Sequence, residues 1–514
     1  MFFIGESSKG RASCSQSDVV GSAAGLRALR HLAFVCGFFV AAFSVQSASK
    51  YVSGSVAVSG NGNSWATAWK TPANITWSSV AAGDTIFLDG GTSGMSYGAF
   101  STITASGTSN NYITIARSTE PGRDGIVTIA TPFLVSGSYV KFDGGGYKQV
   151  SGNVYRCGIV FTCNSRANTG SVQTGASVAA TGQRPWFRYC YFNGTYEAPT
   201  GHSFGAKNST GFILERCWFY QSCWEDQWLY EATAAGASVA LTNTVFQDNN
   251  KPNRTDGEHR DVANPFTGVG GWNLYVNGCL FFNTPGHASD QPQGDALLLQ
   301  IGYGGSTTVP LNEIVAINNV CYNALRFIAI GTQNSGVNSF VAYNNTVRNV
   351  GGGDGVGISY VSPAIAPTAA NNIQKNTSNP GFVNATNALG ADGIPFTADD
   401  GFNITSGSSA INAGSNIGVP SDIRGFARMG NPDWGAYEFG VSAPAAQLNI
   451  RRTATNTVAV SWSSLLAGYT LQQSTNVART NWSAVGTTPV DNGTTKTVII
   501  NPPVGNRFYR LYLP

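Results

Sequence analysis

Residues 247–261 of this 514-residue chain hold seven charged side chains in fifteen: Asp248, Lys251, Arg254, Asp256, Glu258, Arg260 and Asp261, together with His259. Charged residues are only 11% of the whole chain, so reactive groups are concentrated here. His202 and His287 flank the segment, Glu225, Asp226, Tyr230 and Glu231 precede it, and Asp290 and Asp295 follow it. A strand through residues 258–263 would send His259 and Asp261 to one face and Glu258 and Arg260 to the other. Neither face would be apolar, and such a breach of the inside-out rule marks a site more often than a packing solution.

Two reactions suit these groups. Elimination on a uronic-acid polymer removes the C5 proton and expels the 4-oxygen. The neighbouring carboxylate must be neutralised to acidify that proton, by Arg254 and Arg260 or by Ca²⁺ held on Asp256, Glu258 and Asp261. His259 or Lys251 would be the base. Hydrolysis needs instead two carboxyls about 5 to 9.5 Å apart across the glycosidic bond. Glu231, Glu258, Asp261 and Asp295 are available for it. A third reading is a surface adhesin or glycan-binding protein, which the uncharged, Asn- and Thr-rich remainder suits equally. A mildly acidic body does not suggest a nucleic-acid partner.

The elements that must position these groups are visible as a repeat. PWFRYCYFN (185–193), FILERCWFYQ (212–221), VALTNTVFQD (239–248), LYVNGCLFFN (274–283), IVAINNVCYN (314–323), FVAYNNTVRN (340–349) and a weaker PTAANNIQKN (367–376) share one phrase. Aligned on their sixth residue, the anchors are Cys190, Cys217, Thr244, Cys279, Asn319, Asn345 and Asn372, spaced 27, 27, 35, 40, 26 and 27 apart. A period near 27 with two insertions predicts a coiled stack of short strands, in which each unit buries its apolar face on the next. Upstream, TIFLDG (85–90), YITIAR (112–117) and YVKFDG (139–144) keep the period, and IVFTCN (159–164) is expected to bridge them to the later units. About eleven coils result. The anchors should lie one above another, about 4.8 Å apart, as a structural row with Asn in a hydrogen-bonded ladder. The charge-dense segment fills one of the two long intervals, where insertions become loops on one face.

Residues 1–48 have the features of a signal peptide. Arg27 and Arg30 precede an apolar run, Leu32 to Phe43, followed by small residues including Val45 and Ser47. The run is too short to span a membrane, so an exported protein, secreted or at the cell surface, is expected. Of the seven later Cys, pairs 217–223 and 157–163 could form disulfides in an oxidising compartment, with buried free thiols the competing expectation. GADGIPFTADDGF (390–402) sets Asp392, Asp399 and Asp400 in a Gly-rich turn, open to Ca²⁺ or to plain turn capping.

KYVSGSVAVSGNGNSWATAWKTP (50–72) with AAGDTIFLDGGT (81–92) is similar to the capping first coil of secreted right-handed parallel β-helix proteins of the pectate-lyase-like superfamily. SSAINAG (408–414) with DIRGFARMGNPDWGAYEFG (422–440) resembles their closing signature. The resemblance implies an all-β right-handed parallel β-helix over 49–440 and, through the family's frequent use, a polysaccharide substrate. After a linker at 441–445, residues 446–514 hold six basic residues and one acid, Asp491. Their alternating runs predict a small antiparallel β-sandwich resembling C-terminal modules of secreted bacterial proteins, suited to cell-surface association. A monomer is expected.

Overall fold

The computed structural model describes residues 47–163 and 377–440. Between these it describes 168–169, 172–173, 176–194, 202–221, 228–232, 236–248, 263–267, 271–284, 297–301, 311–324, 326–330, 337–348, 358–359 and 366–374. After them come 447–453, 457–463, 466, 469–475, 482–491, 495–501 and 507–512.

Three parallel sheets run the length of a β-helix. The first has eleven strands, from Ser49–Val52 through Thr85–Leu88, Ile113–Arg117, Val140–Asp143 and Trp186–Arg188 to Thr368–Ala370. The second has nine, from Met95–Tyr97 to Thr346–Arg348, and the third has eight, from Phe133–Val135 to Ile358–Ser359. Consecutive coils pair in parallel, for example Ile86 beside Ile115 and Phe187 beside Leu214. Alternation explains the first sheet. Thr85–Leu88 and Val140–Asp143 send every second side chain into the core and the others outward.

The second sheet does not alternate. Ile159–Cys163 and Cys190–Gly194 each begin with three buried residues. Both faces are covered: Phe161, Phe192, Phe219 and Phe246 point into the helix core. Val160, Tyr191, Trp218 and Val245 share a second cluster with Ala388, Phe396, Phe402 and Tyr437. Residues from 388 to 437 thus contribute to a wrap along the outside of the second sheet, and a sheet buried on both faces has near-continuous apolar strands.

The anchor row forms as expected. Register places Cys190, Cys217, Thr244, Cys279, Asn319, Asn345 and Asn372 at successive coils, since the residues after them pair in order. All are buried. The residue before each anchor turns the corner between the first and second sheets at positive φ, from 45° at Asn243 to 67° at Gly278. Asn and Gly occupy five of these seven positions, since they enter the left-handed region most readily. The bridging expectation at 159 needs correction. Ile159–Cys163 is not a coil opening but a second-sheet strand, with Ile159 beside Cys190. An antiparallel hairpin, Tyr147–Ser151 with Val154–Cys157, separates it from its own first-sheet strand. Ser49–Val52 supplies the coil that this removes from the count.

Trp69 and Trp77, both buried, close the N-terminal end. Beyond 447 the strands are antiparallel, in sheets of four and three, around Val460, Trp462, Leu466, Leu471 and Val498. Trp462 is therefore a core residue, while Trp482 lies under the Arg510 guanidinium at 4.5 Å. Among the described residues no helix is long and apolar enough to cross a membrane. Residues 1–46, with the signal-peptide features, lie outside the described residues.

Candidate functional site

The second-sheet strand Val245–Gln247 and the third-sheet strand Ala263–Thr267 bracket the charge-dense segment in the chain. Lys251, Arg254, Asp256, Glu258, His259, Arg260 and Asp261 lie outside the described residues, as do His287, Asp290 and Asp295. Glu231 is in the third-sheet strand Trp228–Ala232, its backbone in register with Lys207. That strand pairs directly with Ala263–Thr267, so Glu231 lies on the coil next to the end of the segment.

At the start of the segment the structure shows a cleft that sequence reasoning missed. Its floor is the outer face of the second sheet, where Tyr220, Gln247, Phe282 and Tyr322 occupy one register column over four coils. Tyr191 and Trp218 form a deeper column beside it. One wall is the hairpin, with Tyr155 and Arg156; the other is the wrap at 385–391. The hairpin tip touches the wrap, Asn153 Nδ2 donating to the Ala391 carbonyl at 2.6 Å. Gly393 permits this approach: a Cβ there would lie 2.0 Å from the Asn153 carbonyl oxygen. The cleft volume is about 450 Å³.

Its polar groups are few and placed. Trp218 Nε1 donates to Gln247 Oε1 at 3.1 Å, and Gln247 Nε2 donates to Asp248 Oδ2 at 3.2 Å. Gln221 Nε2 donates to the Tyr220 hydroxyl at 2.9 Å. The Arg156 guanidinium lies 5.3 Å from the Tyr191 ring centre. Burial raises the Tyr191 phenol, opposed by Arg156 and reinforced by Tyr220 and Asp248. Burial also raises Tyr220, with Asp248 acting in the same direction. Both rings are neutral phenols at ordinary pH, suited to contact and hydrogen bonding rather than to proton abstraction. The sequence signal was present as Tyr, Trp and Phe after the anchors, but period-two reasoning treats them only as strand residues.

Other charged groups have structural partners. Arg188 on the outer face of the first sheet pairs with Asp143 at 3.5 Å and Glu215 at 3.2 Å. Asp392, Asp399 and Asp400 gather round the Thr397 hydroxyl, 2.7 Å from Asp399 Oδ1. Backbone amides of Ala391 and Asp392 cap Asp399, and Tyr437 donates to Asp400 at 2.9 Å. Turn capping thus accounts for this acidic loop. Among the described residues no group of three His, Cys, Asp or Glu side chains could hold a metal ion. Cys157 and Cys163 are both free and buried, so the 157–163 disulfide is absent; Cys223 lies outside the described residues.

No protein-family model and no curated protein matches the chain. Among solved structures it is similar to one described as the crystal structure of pectate lyase Pel9A. That likeness covers 77% of this chain and 97% of the other, at 15% identity and a TM-score of 0.44. The pairing of the sheets by itself establishes the architecture: a parallel β-helix followed by small antiparallel sheets.

Proposed function

We propose that this is a secreted carbohydrate-active protein that cleaves a uronic-acid polysaccharide by β-elimination. The observation that carries the reading is the coincidence of the densest charge in the chain with an insertion that opens at the rim of an aromatic-lined cleft. His259 or Lys251 takes the C5 proton. The C4–oxygen bond then breaks, the electron pair leaves with the oxygen, and a C4–C5 double bond remains. Arg254 and Arg260 pair with the substrate carboxylate, and Glu231, on the strand paired with Ala263–Thr267, is a further acidic candidate. Asp256, Glu258 and Asp261 are the residues that would hold Ca²⁺, which would add positive charge at that carboxylate.

The test is turnover of pectate, alginate, glycosaminoglycans and neutral glycans by the purified protein, with and without chelator. Elimination produces absorbance at about 235 nm from the new double bond. His259→Ala or Lys251→Ala, whichever removes the base, should lower the rate about 100- to 10,000-fold. New reducing ends without that absorbance would replace lyase by hydrolase. Binding without turnover would replace both by a glycan-binding protein.

A further inference from the structure

The cleft on the second sheet has features that the proposed reaction does not use. Its floor column, Tyr220, Gln247, Phe282 and Tyr322, advances one residue per coil along the stack. Parallel strands of neighbouring coils are about 4.8 Å apart, close to the length of one pyranose unit in an extended glycan. Three of these four positions are aromatic, and apolar sugar faces pack on rings. Among the described residues lining the cleft, Arg156 carries the charge; the Asp248 carboxylate adjoins the floor and is engaged by Gln247 Nε2 at 3.2 Å. The volume, about 450 Å³, lies within the range of ligand pockets, roughly 300–1,000 Å³.

We propose that this cleft is a separate binding site for a carboxylate-bearing segment of a polysaccharide, laid along the stack axis with an acidic group on Arg156. Guanidinium and carboxylate match as a two-pronged hydrogen-bonded pair. Tyr220 and Tyr322 supply the ring contacts at two ends of the column, and Gln247, oriented by Trp218, stands between them. The strap formed by Asn153 and Ala391 holds the two walls together. The raised phenols make this a holding site and not a reacting one. Its role would be to keep the polymer against the stack while the adjacent insertion acts. The choice of ligand class rests on the carbohydrate reading above; the site itself rests on the cleft.

The experiment uses the full chain carrying His259→Ala and Lys251→Ala, so that turnover does not consume the probe. Affinity is measured by calorimetry and by retardation in gels containing polygalacturonate, alginate or hyaluronan, with a neutral glucan as control. We expect at least one acidic polymer to bind and the glucan to bind far less. Arg156→Ala and Tyr220→Ala should each weaken binding about tenfold, the equivalent of about 1.4 kcal/mol, and Arg156→Lys should recover part of the loss. Thr386→Trp, at an exposed wall position, should block the cleft without burying anything new. Thermal midpoints matching the parent establish that the variants are folded. Arg156→Ala and Thr386→Trp binding within twofold of the parent would overturn the proposal, as would equal affinity for the glucan or no binding to any acidic polymer. Failure of the reaction reading looks different: the unmutated chain gives no unsaturated product, while Arg156-dependent binding persists.

Discussion

The two halves of the anchor row solve the same corner with different chemistry. From Cys190 to Cys279 the buried anchors are thiols and one hydroxyl. Each acts mainly as a single donor: Cys217 Sγ to the Phe187 carbonyl at 3.3 Å, Thr244 Oγ1 to the Thr242 and Leu214 carbonyls at 3.1 and 3.4 Å. From Asn319 to Asn372 the anchors are amides that bond in both directions. Asn345 Oδ1 accepts from the Asn319 backbone and side chain at 3.0 and 2.9 Å. Its Nδ2 donates to the Ala316 carbonyl at 2.9 Å and to Asn372 Oδ1 at 3.1 Å. Cys217, Thr244 and the three Asn anchors each reach the carbonyl three residues before the previous anchor, whereas Cys190 and Cys279 bond to the carbonyl two residues before themselves.

The interior compensates. Beside the thiol anchors the second sheet stacks Phe192, Phe219, Phe246 and Phe281, with ring centres 4.2, 5.2 and 4.7 Å apart and nearly parallel planes. In the amide half the same column continues as Cys321 and Val347. Aromatic pairs contribute about 0.5–1.5 kcal/mol each beyond area burial. Coils with large rings manage with weak corner donors, and coils with small interior residues carry the hydrogen-bonded ladder. The change falls between Cys279 and Asn319, across the longest interval in the repeat.

The amide half should break hardest. Asn345→Ala takes the acceptor from the buried Asn319 backbone N–H and the side-chain donor from the Ala316 carbonyl, while Asn319 Nδ2 keeps its bond to the Val276 carbonyl. At about 1–3 kcal/mol for each buried group left unpaired, a loss of roughly 3 kcal/mol or more is expected in chemical denaturation. A change below about 1 kcal/mol would mean that the ladder is ornamental.

A second test concerns the wrap that the later coils grip. Asn243, Asn318, Asn344 and Asn371 donate to the carbonyls of Ile423, Ser421, Asp433 and Ser415. Within the wrap, burial pushes the Asp400 carboxyl up to about 8. Its folded-state pKa therefore exceeds its unfolded value. The folded state binds the extra proton between about pH 4 and pH 8, and the associated stability is lost as pH rises through that window, at no more than about 1.4 kcal/mol per pH unit. Asp400→Asn cannot titrate. Its thermal midpoint should gain on the parent from about pH 5 to about pH 8 and level off above it; parallel pH curves for the two proteins would refute the assignment.

The smallest effect belongs to the thiol half. Cys217→Ala removes one weak donor and leaves a small void, costing about 1 kcal/mol. Cys217→Ser should preserve the donor, as the Thr244 hydroxyl does one coil later. If Cys217→Ala cost as much as Asn345→Ala, the distinction between the halves would fail.

The repeat was legible because every coil rewrites the same local instruction. An alternating strand, a left-handed corner and a buried anchor recur within 27 residues, and stacking then has one register that keeps all apolar faces inside. The reading of a bridging coil at 159 failed because the hairpin at 147–157 interrupts the period, and spacing alone does not tell an inserted hairpin from a new coil; of the two alternatives open for Cys157 and Cys163, buried free thiols are the one found. Of the expected site residues only Glu231 lies in a described strand, on the coil adjoining the segment's end.

The amino-acid sequence by itself determined the coil, its corner residues and the row of anchors, because those depend on contacts between neighbouring repeats. Tertiary structure alone decided what covers the second sheet. Asn243 meets Ile423 across 180 residues, and Asn153 meets Ala391 across 238. No periodicity encodes such pairings; they follow from a non-repetitive segment packing on the apolar outer face of the second sheet. That same covering shaped the cleft, whose floor is repetitive and readable but whose walls come from the two segments that do not repeat.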